Sequence, residues 1–285
     1  MVIKTLLERC WNNMSKKILT IQDISCYGSC STTVALPVLA SFGVETCILP
    51  SAILSTHTAG FTGFTVLDLT DEMERITAHW QKENIKYDGI YTGYISDSKQ
   101  FDIILSCVDN LLNNDGLFIV DPAMADHGKL YPALSVEIVE GMKKICGCAD
   151  YVIPNITEAC FLTDTPYQKE QSEEFINELL EKLIKIGAKN VILTSVSCGN
   201  KIGATYYNGK ERVTVLKPTE EKSYHGTGDL FSSLVIAGIM NKKDIKENLE
   251  FATDFIIESI LATVDDPNHN YAVKYEDVLN KKWAK

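Results

Sequence analysis

Leu117-Phe118-Ile119-Val120-Asp121-Pro122 is an apolar run that stops abruptly at a carboxylate and a proline. A short unbroken run of this kind suits a strand buried on both faces, as in a parallel sheet. The same pattern recurs on either side. Ile18-Leu19-Thr20-Ile21 runs into a polar, glycine-containing turn, and Val44 to Leu49 and Gly89 to Tyr91 follow. Downstream come Tyr151-Val152-Ile153, which ends at Pro154-Asn155, and Val191 to Thr194. Segments of helical period separate them, at about 31–42, 72–83, 101–112, 135–145 and 175–186. Ile202 to Tyr207 and Arg212 to Leu216 flank Asn208-Gly209, a favoured hairpin turn, and helices follow at about 228–240 and 244–263. This β–α alternation predicts an α/β fold with a central, mostly parallel sheet covered on both faces.

No low-complexity linker, internal repeat or composition break divides the chain, so residues 15–285 read as a single domain. Met14-Ser15-Lys16-Lys17 before the first strand reads like a natural chain start, which makes residues 1–14 an N-terminal extension. Pro50 to Phe64, rich in Ser, Thr and Gly, is the candidate for a small lid outside the sheet. The 285 residues are 45% hydrophobic and 23% charged, an ordinary globular balance. A net charge of -11 argues against nonspecific nucleic-acid binding. No apolar run is long enough to span a bilayer, and the first residues lack the apolar core and cleavage site of a signal peptide. The nine cysteines show no metal-ligand spacing, and reduced, mostly buried thiols in a cytoplasmic protein fit them.

The polar residues fall where an open α/β sheet keeps its chemistry, at the carboxyl ends of strands. Asp23, Tyr94, Asp121, Asn155, Glu158, Thr194 and Ser195 all follow apolar strand runs. Gly226-Thr227-Gly228-Asp229 then opens the apolar helix beginning Leu230-Phe231. A glycine turn at a helix start directs several N–H groups at one spot, and the helix dipole makes that spot attractive to anions. A carboxylate in such a turn can take a proton from an alcohol while the N–H groups hold the phosphate under attack. Simpler readings stand beside these. Asp229 can be a first-turn acid, Asp121-Pro122 a strand terminator, and Asn155 with Glu158 a helix capping box. His57 and Thr58 can be loop surface, His225 can make a local hydrogen bond, and Cys26 and Cys30 can be packing residues.

One family carries this whole set in order. Ile21-Gln22, Ser55-Thr56-His57-Thr58, Tyr91-Thr92-Gly93-Tyr94, Asp121-Pro122 with Asp126, Pro154-Asn155 with Glu158, and Gly226-Thr227-Gly228-Asp229-Leu230-Phe231 together resemble the vitamin B6 kinase branch of the ribokinase-like superfamily. The resemblance runs from about Lys17 to about Asn280. It implies a ribokinase-like three-layer fold with a small lid, and ATP-dependent phosphorylation of the 5′-hydroxymethyl group of pyridoxal, pyridoxine or pyridoxamine. It implies Asp229 as the base, with Gly226, Thr227 and Gly228 as the anion hole. Asp121 and Glu158 then help place Mg²⁺, largely through water, with a monovalent cation, K⁺ or Na⁺, nearby. Asn155, Thr194 and Ser195 fall on the ATP side, and Asp126 lies on a loop that closes over ATP. Asp23, Thr58 and Tyr94 line the pocket for the vitamer. A cytoplasmic homodimer is the family expectation.

Two departures matter. Many animal relatives have serine where this chain has Asp23, and a carboxylate there bears on the pyridine ring or a substrate amine. The competing reading is a hydroxymethylpyrimidine kinase or another small-molecule kinase of the superfamily. Those pyrimidine kinases usually carry Gly-Gly-Ala-Gly after the first strand and cysteine at the turn. This chain has Tyr27-Gly28-Ser29-Cys30 and Asp229, which favour the B6 branch. A non-catalytic carrier of pyridoxal phosphate is the third reading, and it has no need of a base at position 229.

Overall fold

The computed structural model describes residues 16–58, 60–131, 134–218, 224–266, 269 and 271–283. The proposed extension at 1–14 lies outside them. The strands are β1 (Lys17–Ser25), β2 (Glu45–Leu54), β3 (Val66–Asp68), β4 (Tyr87–Thr92), β5 (Leu112–Val120), β6 (Ala125–Asp126), β7 (Lys129–Leu130), β8 (Tyr151–Val152), β9 (Val191–Cys198), β10 (Lys201–Tyr207) and β11 (Arg212–Pro218). The described helices are α1 (Thr32–Ser41), α2 (Thr70–Lys82), α3 (Gln100–Leu111), α4 (Val136–Cys146), α5 (Ile156–Thr163), α6 (Glu173–Ile186), α7 (Thr227–Met240), α8 (Ile245–Thr263) and α9 (Tyr275–Trp283).

All strands but β6 and β7 form one nine-stranded sheet, in the order β11-β10-β9-β8-β5-β4-β1-β2-β3. The run from β9 to β2 is parallel, while β3 at one edge and the β10–β11 hairpin at the other are antiparallel. The predicted hairpin about Asn208-Gly209 is therefore present. The pleat sorts the apolar strand residues onto two faces. Leu19, Ile21, Ile90, Phe118, Val120, Val191 and Leu193 join a core beneath α2 to α6. Ile18, Tyr91, Ile119 and Ile192 join the core beneath α1, α7, α8 and α9. Three layers follow from continuous apolar strands that must be covered on both sides.

The helices start where local chemistry lets them. Ser172 caps α6 by accepting from Phe175 N–H, Glu173 and Glu174 sit in its first turn, and Gly187 at φ 123° ends it. Asp244 accepts from Lys246 and Glu247 N–H to start α8. The body of α7 is apolar all round, as its burial between the sheet and the neighbouring helices requires.

The lid expectation needs correction. Pro50 to Leu54 belong to β2, inside the main sheet, and only the residues after them form a loop before β3. An apolar stretch of β2 that pairs with β1 gains more from the ladder than it would as a cover. The segment from Asp126 to Leu130 lies in a small hairpin formed by β6 and β7, with His127 at φ 49° and Gly128 at φ 76°.

Gly238 lies inside α7, where alanine would ordinarily stabilise a helix by roughly 1 kcal/mol. Here a methyl would stand 2.0 Å from Asn248 Oδ1, and Asn248 is buried with its Nδ2 donating to the Val235 carbonyl. Packing decides the sign. Gly238→Ala is expected to lose about 1–3 kcal/mol in urea unfolding, and a gain would show that α8 moves aside freely.

Candidate active site

β1 is the point where the sheet order reverses, since β2 lies on one side of it and β4 on the other. Loops leaving β1 and β4 diverge there, and ligands of open α/β sheets bind in the crevice so formed. Asp23 lies near the carboxyl end of β1 and is buried, with Ser25 Oγ donating to its Oδ2 at 2.8 Å. Burial raises its pKa, and the Ser31 and Ser25 side chains hold it back. Half-buried Tyr94 follows β4; burial and the Asp23 charge push its phenol up to about 12, so it stays neutral. Thr58 is half-buried in the loop after β2. His57 is 4% exposed, so the surface reading of that residue fails. Its Nε2 donates to the Tyr271 carbonyl at 2.8 Å, and Phe61 meets its ring edge-on with centroids 4.9 Å apart. Cys30 is buried as expected, whereas Cys26 is exposed and not a packing residue.

The glycine turn sits opposite. Gly226, at φ 79°, is the N-cap of α7 and offers no side chain to its first N–H groups. A Cβ at Gly226 would stand 2.3 Å from the Ser29 carbonyl oxygen, so the turn packs backbone against backbone. A Cβ at Gly228 would meet nothing within 4 Å, so the protein itself leaves that face open. Thr227 Oγ1 donates to the Tyr224 carbonyl, and the exposed His225 adjoins the turn. Asp229 Oδ2 accepts from Ser31 N–H at 2.8 Å. One helical turn later, Ser232 Oγ donates to Asp121 Oδ2 at 2.6 Å. The first two turns of α7 thus join the two carboxylates.

Asp121 directly follows β5 and also accepts from the Ala123 N–H through Oδ1. Its carboxyl is lifted to about 6 by burial, against the pull of Ser232 and Ala123. Glu158 is raised well above the usual carboxylate range by burial and by Asp121. The capping-box reading holds in full, because Asn155 Oδ1 accepts from Glu158 N–H and Glu158 Oε2 accepts from Asn155 N–H. Glu158 Oε1 also accepts from Met124 N–H at 3.1 Å. Every oxygen of this carboxylate pair therefore already has one protein donor. An ionised carboxylate has about four acceptor sites, so each oxygen keeps room for one more. Such a pair suits a hard cation held through its water shell, the habit of Mg²⁺. Among the described residues, no group of three or more His, Cys, Asp or Glu could cage a metal.

The remaining predicted residues surround this group more loosely. Asn155 Nδ2 donates to the Ala125 carbonyl, which ties α5 to the β6–β7 hairpin. Thr194 bridges Asn155 and donates to the Pro154 carbonyl. Ser195 lies within β9, not beyond it: it bulges from the ladder opposite Gly203 and Ala204 at φ 59°. Asp126 is exposed in the hairpin, whose Gly128 N–H donates to Thr157 Oγ1. Sequence reasoning missed Ser31 and Ser232, which carry no signature before the fold brings them to Asp229 and Asp121. A hollow of about 460 Å³ beside Phe42, Leu234 and Phe251 lies farther along α7 and shares no residue with this group.

A carboxylate in a helix-opening glycine turn lies near further acids at the carboxyl edge of a three-layer ribokinase-like fold. The family profile of phosphomethylpyrimidine kinase matches residues 20–273, and the chain belongs to that family. A Bacteroides thetaiotaomicron structure provisionally assigned as a phosphomethylpyrimidine kinase, in a form with pyridoxal, is 35% identical, with a TM-score of 0.89 over 94% of this chain and 96% of that one. Pyridoxal kinase from Lactobacillus plantarum is 26% identical, with a TM-score of 0.86 over 94% and 97%. The pyridoxal kinase of Dictyostelium discoideum is 28% identical over 90% of this chain and 88% of its own.

Burial, the Asp121 charge and, more weakly, Asp23 lift Asp229 to about 7, while the Ser31 N–H opposes them. A base must be ionised to act, so kcat/KM is expected to rise with pH through about 7 and to level off above it. A rate profile flat from about pH 5.5 to 8 would remove Asp229 from that role.

Proposed function

We propose that the protein transfers the γ-phosphoryl group of ATP to the 5′-hydroxymethyl group of a vitamin B6 vitamer. The observation that carries this reading is Asp229, ionisable near neutrality, at the mouth of the α7 anion turn. The 35% identical relative whose structure is described with pyridoxal supports the substrate class. The hydroxymethyl oxygen attacks the γ-phosphorus, the bond to the β–γ bridging oxygen breaks, and the alcohol proton passes to Asp229. Gly226, Thr227 and Gly228 direct backbone N–H groups at the transferring phosphate, where charge stabilisation of this kind is worth most. Tyr94 offers a neutral aromatic wall to a flat ring. Asp23 offers a carboxylate to a ring N–H or an amine, and Thr58 completes the pocket. Asn155, Thr194, Ser195 and Asp126 belong to the nucleotide side.

Asp121 and Glu158 would hold Mg²⁺ through water, and the ion would neutralise charge on the phosphates. Glu158→Gln removes the charge and keeps one acceptor oxygen, but sets an NH2 group against either the Met124 or the Asn155 N–H. It is expected to cost about 1–3 kcal/mol of stability and, in the protein still folded at assay temperature, to raise the Mg²⁺ concentration for half-maximal activity about tenfold or more. A Mg²⁺ titration that overlays the parent would leave Glu158 as a helix cap alone.

The family also contains pyrimidine kinases, and an Aquifex aeolicus hydroxymethylpyrimidine/phosphomethylpyrimidine kinase is 25% identical over 62% of this chain. ADP release across pyridoxal, pyridoxine, pyridoxamine and hydroxymethylpyrimidine separates the readings. At least one vitamer is expected to exceed the pyrimidine about tenfold or more in kcat/KM, roughly 1.4 kcal/mol in transition-state binding. Equal or reversed preference would assign the chain to the pyrimidine substrate.

A further inference from the structure

Ser31 has a backbone that serine rarely adopts. Its φ of 53° and ψ of -129° fall in a region that glycine alone enters at little cost. The residue is 6% exposed and bridges Ile24, so its surroundings impose the conformation. Helix capping does not account for it, because Ser31 stands at the N-cap of α1 without making a side-chain cap bond. What the strain achieves is a direction: the Ser31 N–H points at Asp229 Oδ2, 2.8 Å away and 198 positions along the chain. The same two segments meet again where Gly226 lies against the Ser29 carbonyl.

We infer that Ser31 is a positioning residue for phosphoryl transfer, whose strained backbone N–H fixes one oxygen of Asp229 and turns the other toward the substrate hydroxyl. A carboxylate bound at one oxygen no longer rotates freely about its last bond. Reaction geometry then does not have to be found anew at each turnover, and misplacement by about 1 Å can cost on the order of a hundredfold in rate. The inference rests on Asp229 acting as the base.

Steady-state kinetics with a B6 vitamer, together with thermal unfolding, test it on four variants: Ser31→Gly, Ser31→Ala, Asp229→Asn and the double variant Ser31→Gly/Asp229→Asn. Glycine relieves the strain and frees the backbone. Ser31→Gly is expected to raise Tm by about 2–4 °C and to lower kcat about tenfold or more, with KM for ATP within about twofold of the parent. Ser31→Ala keeps the N–H and the restricted backbone but removes the hydroxyl that bonds Asp23; it is expected to raise KM for the vitamer while retaining kcat within about threefold. Asp229→Asn loses about 10²–10⁴ in kcat, and adding Ser31→Gly to it costs nothing further, because both act through one group. Parental kcat in Ser31→Gly overturns the inference. So do equal losses in Ser31→Gly and Ser31→Ala, or losses that multiply in the double variant. Parental kcat in Asp229→Asn is a different failure: it removes the base, and Ser31 with it.

Discussion

Position 226 has room for a hydrogen and for nothing larger. The Ser29 carbonyl lies so close that a methyl would overlap it at 2.3 Å, and the backbone there is left-handed as well. The close approach sets where α7 begins. It brings Asp229 to the Ser31 N–H and, one turn later, Ser232 to Asp121. A side chain at 226 would push the turn away and separate both contacts together. Gly228, two residues on, faces open space, so its missing side chain serves whatever approaches from outside.

The same placement concentrates acid. Asp23, Asp121, Glu158 and Asp229 are each raised above the ordinary carboxylate range, chiefly by burial. Mutual repulsion adds to burial at Glu158 and Asp229. Hydrogen bonds from Ser25, Ser232, Ser31, Met124 and Asn155 N–H or O–H groups offset part of it. A cluster of this kind is poorly matched to an anionic substrate by itself. It is well matched to one that arrives with cations, and the N–H groups of α7 supply the complementary field.

Much of this was legible in the sequence, and the limits have physical causes. The apolar strands and amphipathic helices announced themselves by period, and the Asn155–Glu158 capping box by spacing, because those signals are local. β3 and the β6–β7 hairpin were not foreseen, since two or three residues show no period. α9 escaped because its polar sequence has only a weak apolar face to show. Asp121, Asp229 and the glycine turn were found through strand ends and helix starts. Ser31 and Ser232 were not, because each meets its carboxylate across more than a hundred residues. Glu158 shows the opposite difficulty. Its spacing from Asn155 fits a helix cap, and the structure makes it a cap and a neighbour of Asp121 at once.

The bond from His57 Nε2 to the Tyr271 carbonyl spans 214 positions. Like the contacts of Asp229, it joins an early strand loop to the last part of the chain. During synthesis the segments that contribute Asp23, Tyr94, Asp121 and Glu158 leave the ribosome well before the turn that carries Asp229. The nascent chain therefore gathers its acids before it has their counterpart in α7, and the loop after β2 is latched later still, when the segment before α9 arrives. Long-range closures of this kind are slow to form. Closure of the site is accordingly among the last steps open to the growing chain, because it waits on contacts made 198 and 214 positions apart.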